Sequence, residues 1–178
     1  MKTRALNNEV LYPAEPIVHF THADAENLKT QALQNARRRM RLCAHHSDDN
    51  PLQEMIVALA SDAYVRPHKH LARAESYHII EGQADLVLFD DAGKIVRRIP
   101  LGDYASGKCI FCRLAEPVFH TLVLRTPTLI FHETTNGPFR REETVFSPWS
   151  PAESDPQAVA KFMQNLAALA SAHAENRS

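Results

Sequence analysis

Long apolar runs are missing from this chain. No uncharged apolar stretch approaches the roughly 18 residues that a membrane span needs, and the opening residues MKTRALNNEVLYPAE hold no apolar segment of the signal-peptide kind. A cytoplasmic protein with no membrane partner is therefore expected. Cysteine is scarce as well: Cys43, Cys109 and Cys112 are an odd count without a secretion signal, which argues for reduced thiols over a disulfide framework. Glycine numbers only five, and no Gly-rich phosphate loop, nucleophile elbow or second cysteine pair occurs. Those absences exclude the commonest nucleotide-hydrolysing and serine-hydrolase patterns. Nor is there an excess of charge, since 20 Lys and Arg stand against 21 Asp and Glu. Without basic residues interleaved with aromatics, nucleic acid is not an expected partner.

What remains is 178 residues with 44% apolar side chains, enough for one domain with a true core. The compositional oddity is ten histidines, twice the glycines, and histidine is the commonest metal ligand. Over residues 24–42, Leu28, Ala32, Leu33, Ala36 and Met40 recur at three- and four-residue spacing, which predicts an amphipathic helix with a basic opposite face. Asn50 and Pro51 end that pattern. The runs QEMIVALAS, SYHIIEG, ADLVLFD, KIVRRIP, CIFCRL, VFHTLVL and TLIFHETT then read as short strands joined by turns too short for crossover helices, so the sheet is expected to be largely antiparallel. Past a Pro-rich connector, Val159, Phe162, Met163, Leu166, Leu169 and Ala170 lie on one stripe of a terminal helix. The expected organisation is an extension carrying the basic helix over residues 1–50, a barrel over 51–147, and the connector and C-terminal helix over 148–178, forming one compact unit.

The chemistry concentrates in PHKHLARAESYHIIEG, residues 67–82. Two-residue spacing on a strand puts His68 and His70 on one face, close enough to share an ion. A straight strand would throw Glu75 to the opposite face, so LARA must turn or bulge for the carboxylate to join them. A fourth ligand would come from a distant strand, where VFHTLVL supplies His120.

HxHxxxxE followed by Gly82 and, some forty residues on, by a histidine near Pro117 resembles the two metal motifs of the cupin superfamily. The second motif departs from the pattern, with Phe119 where a glycine is usual and no asparagine soon after His120. The segments RRRMRLCAHH, YVRPHKH, VLFDDAGKIV, NGPF and FSPWSP together are similar to the WbuC-like cupin metalloproteins, bacterial proteins often linked to surface-polysaccharide gene clusters. The resemblance implies a mainly β fold, a cupin-type double-stranded β-helix or jelly roll flanked by the two helices. It implies His68, His70, Glu75 and His120 as ligands of one divalent transition metal, with Fe, Mn, Ni, Co and Zn all compatible. It also implies a homodimer acting on a small oxygen-rich anionic substrate such as a sugar or sugar nucleotide.

Independently of family, three imidazoles and one carboxylate leave a divalent ion open to exchangeable ligands. Such a centre serves Lewis-acid chemistry of the isomerase or epimerase kind, ferrous oxygen chemistry, or ligand binding without turnover. Tyr77 shares the face of Glu75 and is the candidate proton-transfer residue. Arg66, Tyr64 and His45 are candidate substrate contacts, Arg66 for its place one residue before the motif. The cluster Arg37, Arg38, Arg39, Arg41 reads either as a solvated helix face or as an anion clamp, through Arg37 and Arg41, because guanidinium forks match carboxylate and phosphate. His132, in an apolar strand, competes with His120. His78 faces away from Tyr77 on its strand, and Cys109 and Cys112, three apart, cannot jointly hold an ion without a bulge.

Overall fold

The structure is a computed structural model that describes residues 2–175. Twelve strands and two α-helices follow one another as β1 (Thr3–Ala5), β2 (Val10–Pro13), α1 (His22–Gln34), β3 (Arg39–Cys43), β4 (Leu52–Ala60), β5 (His68–His70), β6 (Glu75–Glu81), β7 (Gln83–Phe89), β8 (Ile95–Gly102), β9 (Phe111–Leu114), β10 (Phe119–Leu124), β11 (Thr128–Asn136), β12 (Thr144–Phe146) and α2 (Pro156–Glu175). They build a seven-stranded sheet in the order β1-β2-β3-β4-β11-β6-β9 and a five-stranded sheet in the order β12-β5-β10-β7-β8. Every pairing is antiparallel except that of β2 with β3. The seven expected barrel strands all form, and their short turns leave no room for anything but antiparallel neighbours.

Alternation along the strands divides the apolar residues between three layers. Leu59, Tyr77, Ile79, Leu86, Leu88, Leu122, Leu129 and Phe131 point between the sheets and pack as the interior. The opposite face of the larger sheet presents Met40, Ala58 and Ile130 to Ala25, Leu28 and Ala32 of α1. On the smaller sheet Val87, Phe89, Phe119 and Val123 receive Leu166 and Ala170 of α2, with Trp149 and Phe162 beside them. Leu169, expected on the buried stripe of α2, is instead exposed. Gly82 carries the chain from one sheet to the other in a single residue at φ +89°, where a side chain would collide with the Thr128 carbonyl oxygen.

The N-terminal segment differs from the sequence expectation. Helix α1 ends at Gln34, Asn35 caps it with an extended backbone, and Arg38 adopts a left-handed φ of 57°. The residues Arg39–Cys43 then form a strand against the open edge of β4. The reason lies in Met40-Arg41-Leu42-Cys43, where Met40 packs beneath α1 while Arg41 faces the other way, a two-residue alternation that a helix cannot satisfy. The arginines therefore do not form a helix face.

Thr21 and Asp24 close a capping box at the start of α1: Thr21 N–H donates to Asp24 Oδ2 at 2.9 Å, and Asp24 N–H donates to Thr21 Oγ1 at 3.3 Å. The Thr21 hydroxyl donates to Asp24 Oδ2 at 2.6 Å, and this bond together with that from the Thr21 N–H holds the Asp24 carboxyl down at about 2. The stabilisation is present above the unfolded carboxylate value of about 3.9 and is lost as pH falls towards 2. Thr21→Ala is expected to cost about 1 kcal/mol in urea unfolding at neutral pH and to flatten the acid limb. An unchanged midpoint would mean that α1 is held by packing alone.

Candidate metal centre

His68 and His70 lie on β5, two residues apart, and β5 is flanked by β10 and β12. The register sets His120 opposite His68 on one side, and Phe146 opposite His68 and Thr144 opposite His70 on the other. Three imidazoles therefore share one inward face of the smaller sheet. Residues 71–74 carry the chain across to the larger sheet, where Glu75 opens β6. The carboxylate approaches from the opposing wall, and the strand–turn–strand unit is a crossing between sheets, not a paired hairpin.

One donor atom from each of His68, His70, Glu75 and His120 lies within 4.8 Å of the others. Glu75 Oε2 stands 3.1 Å from His120 Nε2 and 3.5 Å from His70 Nε2. Although close, Glu75 Oε2 and His120 Nε2 do not align as a hydrogen bond, and both are buried without a partner. The opposite ring atoms are engaged: His68 Nδ1–H donates to the Arg66 carbonyl at 2.8 Å, and His120 Nδ1–H donates to the Val118 carbonyl at 3.0 Å. His70 Nδ1 lies 3.1 Å from Thr144 Oγ1. Such outer contacts fix ring orientation and leave Nε2 for an ion.

Protonation suits the same purpose. Burial, with the neighbouring His120, pulls the His68 imidazole down to about 3, and burial lowers His70 as well. Burial acts to raise Glu75, but His120 and the other two imidazoles outweigh it and hold the carboxyl below its ordinary value. His120 is the exception: burial opposes its charged form, but Glu75 outweighs burial and raises the imidazole above its ordinary value, so an ion would there take the place of a proton. Neutral imidazoles and an ionised carboxylate are the forms that ligate metals. The donor set, its convergence and its two orphaned atoms fit a divalent transition metal.

Beside the cluster opens a cavity of about 560 Å³. Tyr77 lines it, buried at 3% exposure, with its ring centroid 6.4 Å from that of His120. Burial and the charges of Glu75 and Glu133 push its hydroxyl far above the ordinary phenol value. His45 also lines the cavity, its Nδ1 held between the carbonyl and N–H of Glu54 at 3.0 and 3.2 Å. Arg41 projects into the cavity from β3, and Arg37 stands at its rim, paired with Glu9 at 3.1 Å and with Glu153 at 2.6 Å.

Two expected contacts have structural duties. Arg66 touches the cavity, but its guanidinium donates to Ser150 Oγ at 3.2 Å and to the carbonyls of Ser147 and Ser150 at 3.1 and 3.3 Å. It staples the segment after β12 to the barrel. Tyr64 is not among the residues lining the cavity: its hydroxyl donates to the Pro151 carbonyl at 3.0 Å and its ring meets Phe162 of α2. His132 and His78 are register partners on the outer face, away from the cluster, and His132 Nε2 lies 3.5 Å from Glu54 Oε1. All three cysteines are free.

Sequence reasoning missed Glu133 and Arg73. Glu133 pairs in register with Tyr77 and lines the cavity. Burial and the charge of Glu75 push its carboxyl up to about 8. Alternation held the signal, because Leu129, Phe131, Glu133 and Thr135 share the inward face of β11 while His132 faces out. Arg73 sits in the LARA turn between His70 and Glu75, with a side chain only 3% exposed.

Two folded-over, largely antiparallel sheets that enclose a three-histidine, one-glutamate cluster make this a cupin-type double-stranded β-helix with an N-terminal and a C-terminal helix. Residues 20–101 match a domain family of unknown function, DUF6016, and no curated protein matches the chain. A crystal structure of a protein from Shewanella oneidensis superposes with a TM-score of 0.52 at 10% identity, over 63% of this chain and 75% of that one, and so shares its fold. Two further similar structures are KdgF from Halomonas sp., with a TM-score of 0.42, 20% identity, and coverage of 58% and 82%, and Bacillus subtilis oxalate decarboxylase, with 0.44, 19%, 55% and 24%. This chain spans about a quarter of the decarboxylase. Among the described residues no helix is long and apolar enough to cross a membrane.

Proposed function

We propose that this chain is a metal-dependent cupin enzyme in which His68, His70, Glu75 and His120 hold one divalent transition-metal ion beside a pocket for a small oxygen-rich anionic substrate. The observation that carries the reading is the convergence of four donor atoms with His68 and His120 oriented from behind by carbonyls and two donor atoms buried without partners. A bound ion supplies electrophilic polarisation of a substrate oxygen. The chain's own residues do the rest. The interior apolar walls exclude water, Tyr77 Oη holds a proton at the cavity edge, and the arginines attract and orient the anion. A sugar or sugar nucleotide of surface-polysaccharide metabolism is the substrate that the WbuC-like resemblance supports. The same resemblance supports a homodimer, for which light scattering at high micromolar concentration is the check; a monomer there overturns it.

The test is metal content by plasma mass spectrometry on untagged protein purified without chelators. About one manganese, nickel, cobalt or zinc per chain is the expected outcome for chemistry on a sugar, and about one iron would redirect the reading to oxygen chemistry. Absence of metal even after reloading overturns the proposal and leaves a bare ligand pocket.

A further inference from the structure

The three imidazoles of the cluster are not held alike. His68 and His120 each donate Nδ1–H to the carbonyl two residues earlier, that of Arg66 and of Val118, so each ring is aimed by its own stretch of chain. His70 is aimed from elsewhere: its Nδ1 lies 3.1 Å from Thr144 Oγ1, 74 residues on. Thr144 opens β12, a three-residue edge strand whose ladder is with β5. Register sets Thr144 opposite His70 and so on the same face. A strand that short needs anchoring from outside its ladder.

Arg73 supplies the anchor from the 71–74 crossing, with a side chain 3% exposed. Its Nη2 donates to the Arg140 carbonyl and to Thr144 Oγ1, each at 3.3 Å. Its guanidinium stacks over Phe139 at 4.8 Å, and Glu143 Oε2 neutralises it at 3.6 Å. Beside it, Leu71 N–H donates to the Glu143 carbonyl at 2.9 Å. A buried guanidinium is costly unless paired and hydrogen-bonded, and each of these partners of Arg73 lies in the segment 139–144. One cation thus ties the turn between two metal ligands to the strand that holds one of them.

With an ion on Nε2, the remaining ring hydrogen of His70 sits on Nδ1 and is donated to Thr144 Oγ1. That oxygen then accepts from His70 and from Arg73, one lone pair to each. We propose that Thr144 and Arg73 are positioning residues of the metal centre: Arg73 fixes the segment 139–144 against the turn between the ligands, and the Thr144 hydroxyl aims His70 Nε2 at the ion. The proposal rests on the metal reading of the four-residue cluster. It adds that the hold on one ligand of the four depends on a distant segment docking correctly. Phe139, Thr144 and Phe146 also line the cavity, so the segment that orients His70 is a wall that an incoming ligand meets.

The test titrates cobalt(II) into wild type, Thr144→Val, Thr144→Ser and Arg73→Gln, reading the visible absorption of the bound ion, with urea unfolding of the metal-free proteins alongside. Thr144→Val keeps the bulk of the side chain and removes the acceptor. It is expected to weaken cobalt binding about tenfold and to alter the visible bands, whereas Thr144→Ser, which keeps the hydroxyl, should restore both. Arg73→Gln should weaken binding as well by loosening the segment, and the two Thr144 variants carry the test should it fail to fold. The proposal is overturned by Thr144→Val that matches wild type in affinity and bands, even with a lowered urea midpoint, since the hydroxyl would then serve the fold alone. It is overturned equally by Thr144→Ser that is as impaired as Thr144→Val. Wild type that takes up no cobalt overturns the metal reading itself, and this proposal with it.

Discussion

His68→Ala is expected to strip the protein of its metal, from about one ion per chain to less than about a tenth of that after purification without chelators. His68 is the hub of the cluster. Its ring centroid lies 4.6 Å from that of His120 and 5.0 Å from that of His70, and the Arg66 carbonyl aims it inward. Three donors remain, but Glu75 Oε2 and His120 Nε2 then face a void where the imidazole stood. The second readout is thermodynamic: metal at a hundredfold excess over Kd should stabilise wild type by about 2.7 kcal/mol, and the variant should show no such gain. Full occupancy in His68→Ala would refute the ligand assignment.

The largest expected loss of stability lies away from the site, at Asp85. It is 1% exposed on β7, with Arg98 at 2.8 Å and Arg125 at 2.6 Å. Arg125 also donates to the Ala167 carbonyl of α2 at 3.4 Å, so the carboxylate neutralises the seam between the smaller sheet and its helix. Asp85→Ala leaves two partly buried guanidiniums uncompensated, and breaking such a group by removing one partner costs about 3–5 kcal/mol. Chemical unfolding measures it. A loss below about 1 kcal/mol would mean that solvent already screens the two arginines, as at exposed ion pairs.

Strand periodicity and turn chemistry made the barrel legible. The apolar runs from QEMIVALAS to TLIFHETT each became a strand, and the terminal helix appeared at Pro156–Glu175. The four-residue cluster was legible too, since two-residue spacing survives folding as a shared face and the resemblance supplied Glu75 and His120. Misreading came where two periods overlapped. Leu28, Ala32 and Met40 fit a helical stripe, yet Met40-Arg41-Leu42 also alternates, and the vacant edge of β4 decided for the strand. Edge pairing is a long-range effect that no local pattern reports. The difference bears on the cavity, because the strand sets Arg41, though exposed, among the residues that line it.

By itself, then, the sequence determined the class of the fold, the spacing of His68, His70 and Glu75 and the absence of rival motifs, all of which depend on local geometry or on residue chemistry. Only the tertiary structure decided that Glu75 reaches the histidines from the opposite sheet, that Arg66 and Tyr64 serve the C-terminal segment, and that Arg73 and Glu133 belong to the pocket. Those outcomes hang on which strands become neighbours across the barrel. Burial then sets the charge of each group through desolvation and proximity, and neither quantity exists until the two sheets have closed on one another.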